Sequence, residues 1–158
     1  MAIDSKLQRA IMGRFATGVT VVTTGRDGDY CGLTANAVAS LSLTPPLVLV
    51  AVERTAHSHE YLVKHRVYAM NILSAAQEHL SARFAARGPK IFTDLEFTTA
   101  ASGAPILAGT LGYVDCKVVE ILPGGDHDIF VGEILSGEAR EGAPLLYYAG
   151  KYRALAEH

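Results

Sequence analysis

The residues from Gly32 to Ser42 are mostly small, and hydroxyl and amide groups are spaced among them. Small side chains let a flat ligand approach the main chain, whose N–H and C=O groups can then match the polar edge of a ring. Serine and threonine hydroxyls can also bind a phosphate where no phosphate-binding loop exists. The alternative is a tightly packed crossing of two strands, in which small residues only let two layers touch, and composition alone favours that alternative.

A second polar segment runs from Gly124 to Glu133 and places His127 between two aspartates. Its functional interpretation is an aromatic plate at the mouth of a cleft, on which a planar ligand stacks while a neighbouring carboxylate holds the imidazole. The alternative, equally well supported by the residues, is a glycine turn with a capping aspartate and an exposed histidine.

The sequence lacks the common nucleotide-binding and hydrolase motifs. It has no Gly-x-Gly-x-x-Gly segment after a predicted strand, no complete phosphate-binding loop and no Gly-x-Ser-x-Gly elbow. His57 and His59 are close in sequence, but Glu60 is the one further candidate ligand nearby, so a solvated loop is the preferred interpretation. We therefore predict no metal site and no certain catalytic acid–base pair.

Composition predicts one folded domain over residues 1–158. Hydrophobic residues make up 49% of the chain and charged residues 19%, which excludes a disordered protein. A formal net charge of −2 does not favour nucleic acid or an acidic membrane as a partner. Cys31 and Cys116 are expected to be free thiols, and with no apolar leader or spanning segment the protein is expected to be cytoplasmic and without membrane contact.

The spacing of apolar residues predicts six or seven strands and two or three short helices. β-Branched or alternating residues mark strands at Val19–Thr24, Ala37–Leu43 and Leu47–Val52, among others. Most strands follow one another through hairpin turns rather than through helices. We therefore predict a mainly β fold with peripheral helices, built as a closed or partly closed antiparallel barrel.

Three local expectations accompany this fold. The first helix is expected to end at Gly18. In the strand Ala37–Leu43, the face that carries Leu41 and Leu43 is expected to be buried. The glycine- and alanine-rich segment Thr98–Ala104 is expected to be a mobile loop.

Short motifs along nearly the whole chain together resemble the short-chain flavin reductases, a flavin reductase-like family with a split-barrel FMN-binding fold. Each motif is weak alone, but the ordered set is specific. It consists of Phe15–Thr24, Gly32–Ala37, Leu41–Leu47, Met70–Leu73, Arg83–Ala85, Gly103–Leu107 and Gly125–His127. The resemblance implies an antiparallel, Greek-key-like split β-barrel and a homodimer with flavin bound near its interface.

The resemblance also implies which residues bind the flavin and the nicotinamide. Residues implied to line the isoalloxazine ring are Thr34, Ala35, Asn36 and Ala37. Those implied to contact the rest of the flavin are Ser40, Leu41 and Ser42 near the ribityl chain or phosphate, Arg54, Thr55 and Ser58 near the phosphate, and Arg83, Phe84 and Lys90 at the closing side. His127 would position the nicotinamide, with Tyr148 or Tyr152 beside it.

By the same resemblance the protein is expected to reduce FMN or FAD with NADH or NADPH and to supply reduced flavin to a partner monooxygenase. Hydride passes directly between the two cofactors, so a catalytic motif is not required. Two alternatives stay open at this point: a split-barrel flavoprotein that passes electrons to a metal complex, a quinone or a corrinoid, and a flavin-binding barrel without catalysis.

Overall fold

The computed structural model describes residues 2–156, in which helices flank a β structure. The helices are α1 (Ser5–Met12), α2 (His57–His65) and α3 (Glu78–Ala85), the last preceded by a 3-10 turn at Ala75–Gln77. Asp4 caps α1, since its Oδ1 accepts a hydrogen bond from Leu7 N at 2.7 Å. The helix ends at Met12, so the expected end at Gly18 was wrong; Gly18 instead belongs to a strand that pairs with Leu146.

Strands make up most of the regular structure of the described residues. They are β1 (Thr17–Gly18), β2 (Thr20–Arg26), β3 (Asp29–Ala35), β4 (Val38–Leu43), β5 (Pro46–Glu53), β6 (Val67–Ile72), β7 (Phe97–Thr99), β8 (Pro105–Leu107), β9 (Gly112–Gly124), β10 (His127–Ala139), β11 (Leu146–Tyr148) and β12 (Lys151–Arg153). Seven strands form one antiparallel sheet in the order β3-β2-β6-β9-β10-β5-β4. The predicted mainly β fold with peripheral helices is confirmed.

The large sheet is open between β3 and β4, although these strands follow one another in the chain. Both ends of the sheet nevertheless contact one apolar core, because Ala35 of β3 and Val38 of β4 pack with Val50, Tyr68 and Phe130. A sheet whose two ends share a core is curled around it, so the architecture is a split barrel. Some strands that are neighbours in the sheet are not consecutive in the chain: β5 lies beside β10, and β6 lies beside β2. The expected Greek-key-like topology requires such pairs.

A second apolar cluster holds α3 on the outside of the barrel. Val21 of β2 belongs to this cluster together with Leu80 and Phe84 of α3, whereas its neighbour Val22 belongs to the barrel core. Successive residues of a strand point to opposite faces, so β2 separates the two clusters. The packing fixes the C-terminal end of α3 beside β3.

The segment Thr98–Ala104 is ordered by a buried carboxylate, so the prediction of a mobile loop was wrong. Asp115 of β9 is fully buried and accepts a hydrogen bond from Ser102 N at 2.9 Å as well as one from the Ser102 hydroxyl. A buried carboxylate is costly unless donors surround it, and this segment supplies them. Part of it also pairs as β7 with β8.

The face of β4 that was expected to be buried is exposed. Leu41 is 49% and Leu43 is 89% exposed, so this expectation was wrong for the chain alone. β4 lies at the end of the sheet, and its register against β5 shifts between Ser40 and Ser42. An alternating pattern identifies two faces of a strand but does not say which of them the core covers.

Candidate active site

A cleft of about 620 Å³ lies beside the opening between β3 and β4. That volume falls within the range of about 300–1,000 Å³ usual for small-molecule sites. Its lining comes from four parts of the chain: Gly32–Ala37, the end of β5 and the start of α2 with Ala51, Glu53 and Thr55–Ser58, the end of α3 and the residues after it with Phe84–Gly88 and Lys90, and His127 at the start of β10. The cleft therefore forms where the curled sheet fails to close.

The cleft brings together many of the expected site residues. Those that line it are Thr34, Ala35, Asn36, Ala37, Thr55, Ser58, Phe84, Lys90 and His127. The expected residues outside its lining are Ser40, Leu41, Ser42, Arg54, Arg83, Tyr148 and Tyr152.

The side chains at the floor of the cleft are small, so they cover little of the main chain there. A Cβ added at Gly32 would lie 2.9 Å from Phe84 Cε1 and 3.0 Å from Val22 O, so only glycine lets the Phe84 ring contact β3 this closely. Thr34 Oγ1 donates to Ser81 O at 2.6 Å and can therefore offer a ligand only its lone pairs. Ala37 is held against β5 by a hydrogen bond from Ala51 N to Ala37 O at 2.9 Å.

Asn36 lies exposed in the two-residue link between β3 and β4. Its side-chain amide makes no hydrogen bond with another group among residues 2–156, and the residue lines the cleft. It therefore presents a free acceptor and two free donors to a ligand, the set needed for the polar edge of a heterocycle.

The N-terminus of α2 forms one wall of the cleft. Ala56 at the N-cap position provides no side-chain cap, and Ala56, His57 and Ser58 line the cleft. The first N–H groups of a helix lack intrahelical partners and favour an anion. Thr55 Oγ1 donates to Glu53 Oε1 at 3.0 Å, so a carboxylate also reaches this wall.

His127 lines the cleft at the start of β10, paired in register with Glu53. Its Nδ1 is 2.7 Å from Asp126 Oδ1, and this hydrogen bond holds the pKa of Asp126 below its ordinary value. An ionised carboxylate only accepts, so the His127 Nδ1–H donates. Within the described residues the Nε2 of His127 has no hydrogen-bond partner and is available to a ligand.

Arg54 turns from the cleft towards Asp128. Its Nη2 lies 3.1 Å from Asp128 Oδ1, while the other oxygen, Oδ2, lies 2.8 Å from His59 Nε2. The hydrogen bonds from Arg54, first, and from His59 lower the pKa of Asp128. The phosphate contact of Arg54 stays a prediction, because its Nε and Nη2 already donate to Asp128 and only its other N–H groups remain for a ligand.

The basic side chains near the C-terminal end of α3 line two depressions of the surface. Arg83 faces a smaller depression of about 330 Å³ and lies 2.6 Å from Asp94 Oδ1, which lowers the pKa of Asp94. Lys90 lines both depressions and donates to Gly88 O at 2.9 Å. Arg87 lines both as well.

The tyrosines and the serines of β4 lie elsewhere. The Tyr152 hydroxyl is 2.6 Å from Ser81 Oγ, so it supports α3 and, through the Ser81 carbonyl, the floor at Thr34. Tyr148 is half-buried in β11. Ser40 and Ser42 lie in the edge strand β4, on either side of Leu41.

Sequence reasoning missed Glu53, which lines the cleft. Glu53 comes directly before the loop that was expected to hold phosphate, and this position could have identified it as a lining residue. A carboxylate repels a phosphate, however, so an acidic residue is not expected in such a site. Asp128 was read only as part of a polar turn. Its contacts with Arg54 and His59 join residues far apart in sequence, so no local pattern could show them.

Residues 12–156 match the family model described as "Flavin reductase like domain". The chain belongs to this family. It is similar to the reductase subunit HsaB of a flavin-dependent monooxygenase from Rhodococcus jostii (strain RHA1), with 38% identity over 98% of this chain and 80% of that protein. It is also similar to the FMN reductase (NADH) SmoA from Agrobacterium fabrum, with 38% identity over 94% of this chain and 85% of that protein.

Solved structures of family members share the fold. The NADH:FAD oxidoreductase SgcE6 from Streptomyces globisporus C-1027, in complex with NAD and FAD fragments, superposes with a TM-score of 0.89 at 36% identity, covering 99% of this chain and 97% of that one.

In residues 2–156 no helix is both long and apolar enough to cross a bilayer.

Proposed function

We propose that this protein is an NADH-dependent flavin reductase, which transfers hydride from the nicotinamide to FMN or FAD and supplies reduced flavin to a partner monooxygenase. The observation that carries the proposal is the open cleft at the split of the barrel, with small residues from Gly32 to Ala37 and His127 in its lining. The relatives named for NADH, FMN and FAD support the choice of cofactors.

The residues of the cleft fit a flavin. Gly32 to Ala37 leave the main chain accessible to a flat ring, and the free amide of Asn36 offers both donors and an acceptor. The uncapped start of α2 and the cations Arg87 and Lys90 suit a phosphate. A bound flavin supplies the hydride acceptor, and the chemistry needs no acid–base pair from the protein.

The protein's own part in the reaction is to bind and orient. Asn36 and the floor define where the polar edge of a ring is held, while His127 provides a plate with its Nδ1 anchored by Asp126. Holding two reactants in a fixed relative orientation accounts for a large part of a rate enhancement.

We also propose that residues 1–158 form one domain, that two chains form a homodimer and that the protein works in the cytoplasm. Exposed apolar side chains support the dimer: Leu41 and Leu43 on β4, and Phe15, which is 71% exposed. The two cysteines are buried and unpaired, which suits a reducing compartment.

The test is NADH oxidation followed at 340 nm with FMN and FAD titrated separately. A rate that saturates with free flavin, with NADH preferred over NADPH, supports the proposal. Oxidation that appears only with a metal complex, a quinone or a corrinoid would instead identify a flavoprotein with another acceptor. Flavin binding without NADH oxidation under any of these conditions would identify a non-catalytic barrel.

A further inference from the structure

The carboxylate of Asp128 connects three parts of the protein around the cleft. Asp128 lies on β10 directly after His127; its Oδ1 accepts from Arg54 Nε at 3.2 Å and Nη2 at 3.1 Å, in the β5–α2 connection. Its Oδ2 lies 2.8 Å from His59 Nε2 on α2. The Asp128 and His59 side chains are each only 17% exposed, so water competes weakly for the contact between these two side chains.

Asp128 acts from the side of β10 opposite to His127. Adjacent residues of a strand point to opposite faces, and Phe130, on the same face as Asp128, is fully buried in the barrel core. The His59 ring packs edge-on against Phe130 with centroids 5.4 Å apart. His127 therefore faces the cleft, whereas the next residue, Asp128, joins β10 to α2 from the core side of the strand.

The wall that Asp128 holds lines the same cleft as His127. Arg54 and His59 flank Ala56, His57 and Ser58, which line the cleft. One backbone hydrogen bond, from Arg54 N to Asp126 O at 3.0 Å, joins this connection to the turn before β10. The carboxylate of Asp128 adds contacts on both sides of the lining residues.

We propose that Asp128 is a positioning residue of the reductase, which fixes the wall formed by residues 56–58 at its working distance from His127. This inference rests on the proposed function. Without the carboxylate, residues 56–58 and His127 both remain and the backbone bond from Arg54 N to Asp126 O is kept, but the side-chain contacts on both sides of the wall are lost. The rate with both substrates bound should then fall more than the affinity for flavin.

The chain contains a matched control at the other end of α2. Asp29 accepts from Lys64 Nζ at 2.8 Å and lies 2.7 Å from His65 Nε2, so it also joins a strand to this helix through one basic side chain and one histidine. Asp29 does not line the cleft. Its loss should disturb α2 without moving residues 56–58.

The experiment compares Asp128→Asn and Asp128→Ala with Asp29→Asn and Asp29→Ala. We expect Asp128→Ala to lower kcat about tenfold at saturating flavin and NADH, with Asp128→Asn intermediate and the flavin Kd within threefold of the unmodified protein. In flavin-free protein, amide hydrogen exchange over residues 54–60 should accelerate in the Asp128 variants. The Asp29 variants should keep both kcat and this exchange pattern.

Two results would overturn the inference: a kcat for Asp128→Ala within twofold of the unmodified protein, or an equal fall of kcat in Asp29→Ala. If Asp128→Ala does not fold, Asp128→Asn decides by the same criteria, since it keeps the shape of the side chain. An unmodified protein without flavin-dependent NADH oxidation would refute the proposed function instead. Hydrogen exchange would still test the tie between Asp128 and the wall, and unchanged exchange would refute it.

Discussion

At the scale of single residues, the cleft is lined by two side chains with different hydrogen-bonding groups. Asn36 offers an uncommitted amide in the link between β3 and β4, whereas His127 offers a ring whose Nδ1 is already bound to Asp126. The two side chains belong to different parts of the fold, the β3–β4 link and β10, and share no hydrogen bond. Flavin binding and nicotinamide binding should therefore be separable by substitution.

Asn36→Ala should raise the flavin Kd about tenfold, because a hydrogen bond of this kind contributes about 0.5–1.5 kcal/mol and its partner on the ligand would be left unpaired. The KM for NADH should stay within twofold. His127→Ala should do the reverse, raising the KM for NADH about tenfold with little change in flavin Kd. Fluorescence quenching of flavin and steady-state kinetics measure the two quantities.

Equal losses of both affinities in either variant would contradict this division of roles. The control is the midpoint of thermal unfolding. A large fall in that midpoint would show that the residue supports the fold rather than the ligand.

At the scale of elements, the cleft depends on how closely α3 approaches β3. That approach requires glycine at position 32, because Phe84 occupies the space that a Cβ would need. The Phe84 ring is 2% exposed and packs on Phe92, so it has little room to move.

Gly32→Ala should lower the free energy of unfolding by about 1–3 kcal/mol, the usual cost of overpacking a tight site, and should weaken flavin binding. Urea denaturation and flavin titration measure the two effects. Gly18→Ala is the control, since a Cβ there would meet nothing within 4 Å. A Gly32→Ala protein as stable as the control would show that α3 can shift without cost.

The sequence predicted those parts of the site that depend on neighbouring residues. The small residues from Gly32 to Ala37 and the aspartates around His127 form continuous segments, and both line or flank the cleft. The pairing of Arg54 with Asp128 and the contact of Tyr152 with Ser81 depend instead on the tertiary fold. Hydrophobic alternation in β4 identified the strand, but its position at the sheet edge determined which face is exposed.

At the scale of the whole molecule, the exposed leucines of β4 should pack against a second chain. Leu43→Asp should weaken the proposed dimer at least tenfold, because burial of a leucine side chain contributes about 1.5–3 kcal/mol. Size-exclusion chromatography with light scattering measures the shift from dimer to monomer. Val63→Asp on α2, at a side chain 44% exposed, is the control; a dimer unaffected by Leu43→Asp would place the interface elsewhere.

Acid should destabilise the protein through its surface aspartates. Basic partners lower the pKa of Asp29, Asp94, Asp126 and Asp128, with Lys64, Arg83, His127 and Arg54 as the first cause in turn. A lowered folded-state pKa adds stability above the unfolded value of about 3.9, and this stability is lost as the pH falls through the folded value.

The midpoint of thermal unfolding should therefore fall as the pH drops below the unfolded-state value of about 3.9, rather than near neutrality. Because Asp29, Asp94 and Asp126 are exposed, 1 M salt should reduce the slope. A double variant, Asp29→Asn with Asp94→Asn, should show a shallower fall than the unmodified protein. An identical slope in that variant would mean that other carboxylates govern the acid response.

The contact between Tyr152 and Ser81 has a consequence for the order of synthesis, folding and cofactor binding. Thr34 is synthesised early, but Ser81 of α3, whose carbonyl accepts the Thr34 hydroxyl, is braced by Tyr152 of β12. A nascent chain on the ribosome thus lacks this brace until translation has passed position 152. Cofactor capture should accordingly be a late event, after release of the C-terminal strand from the exit tunnel.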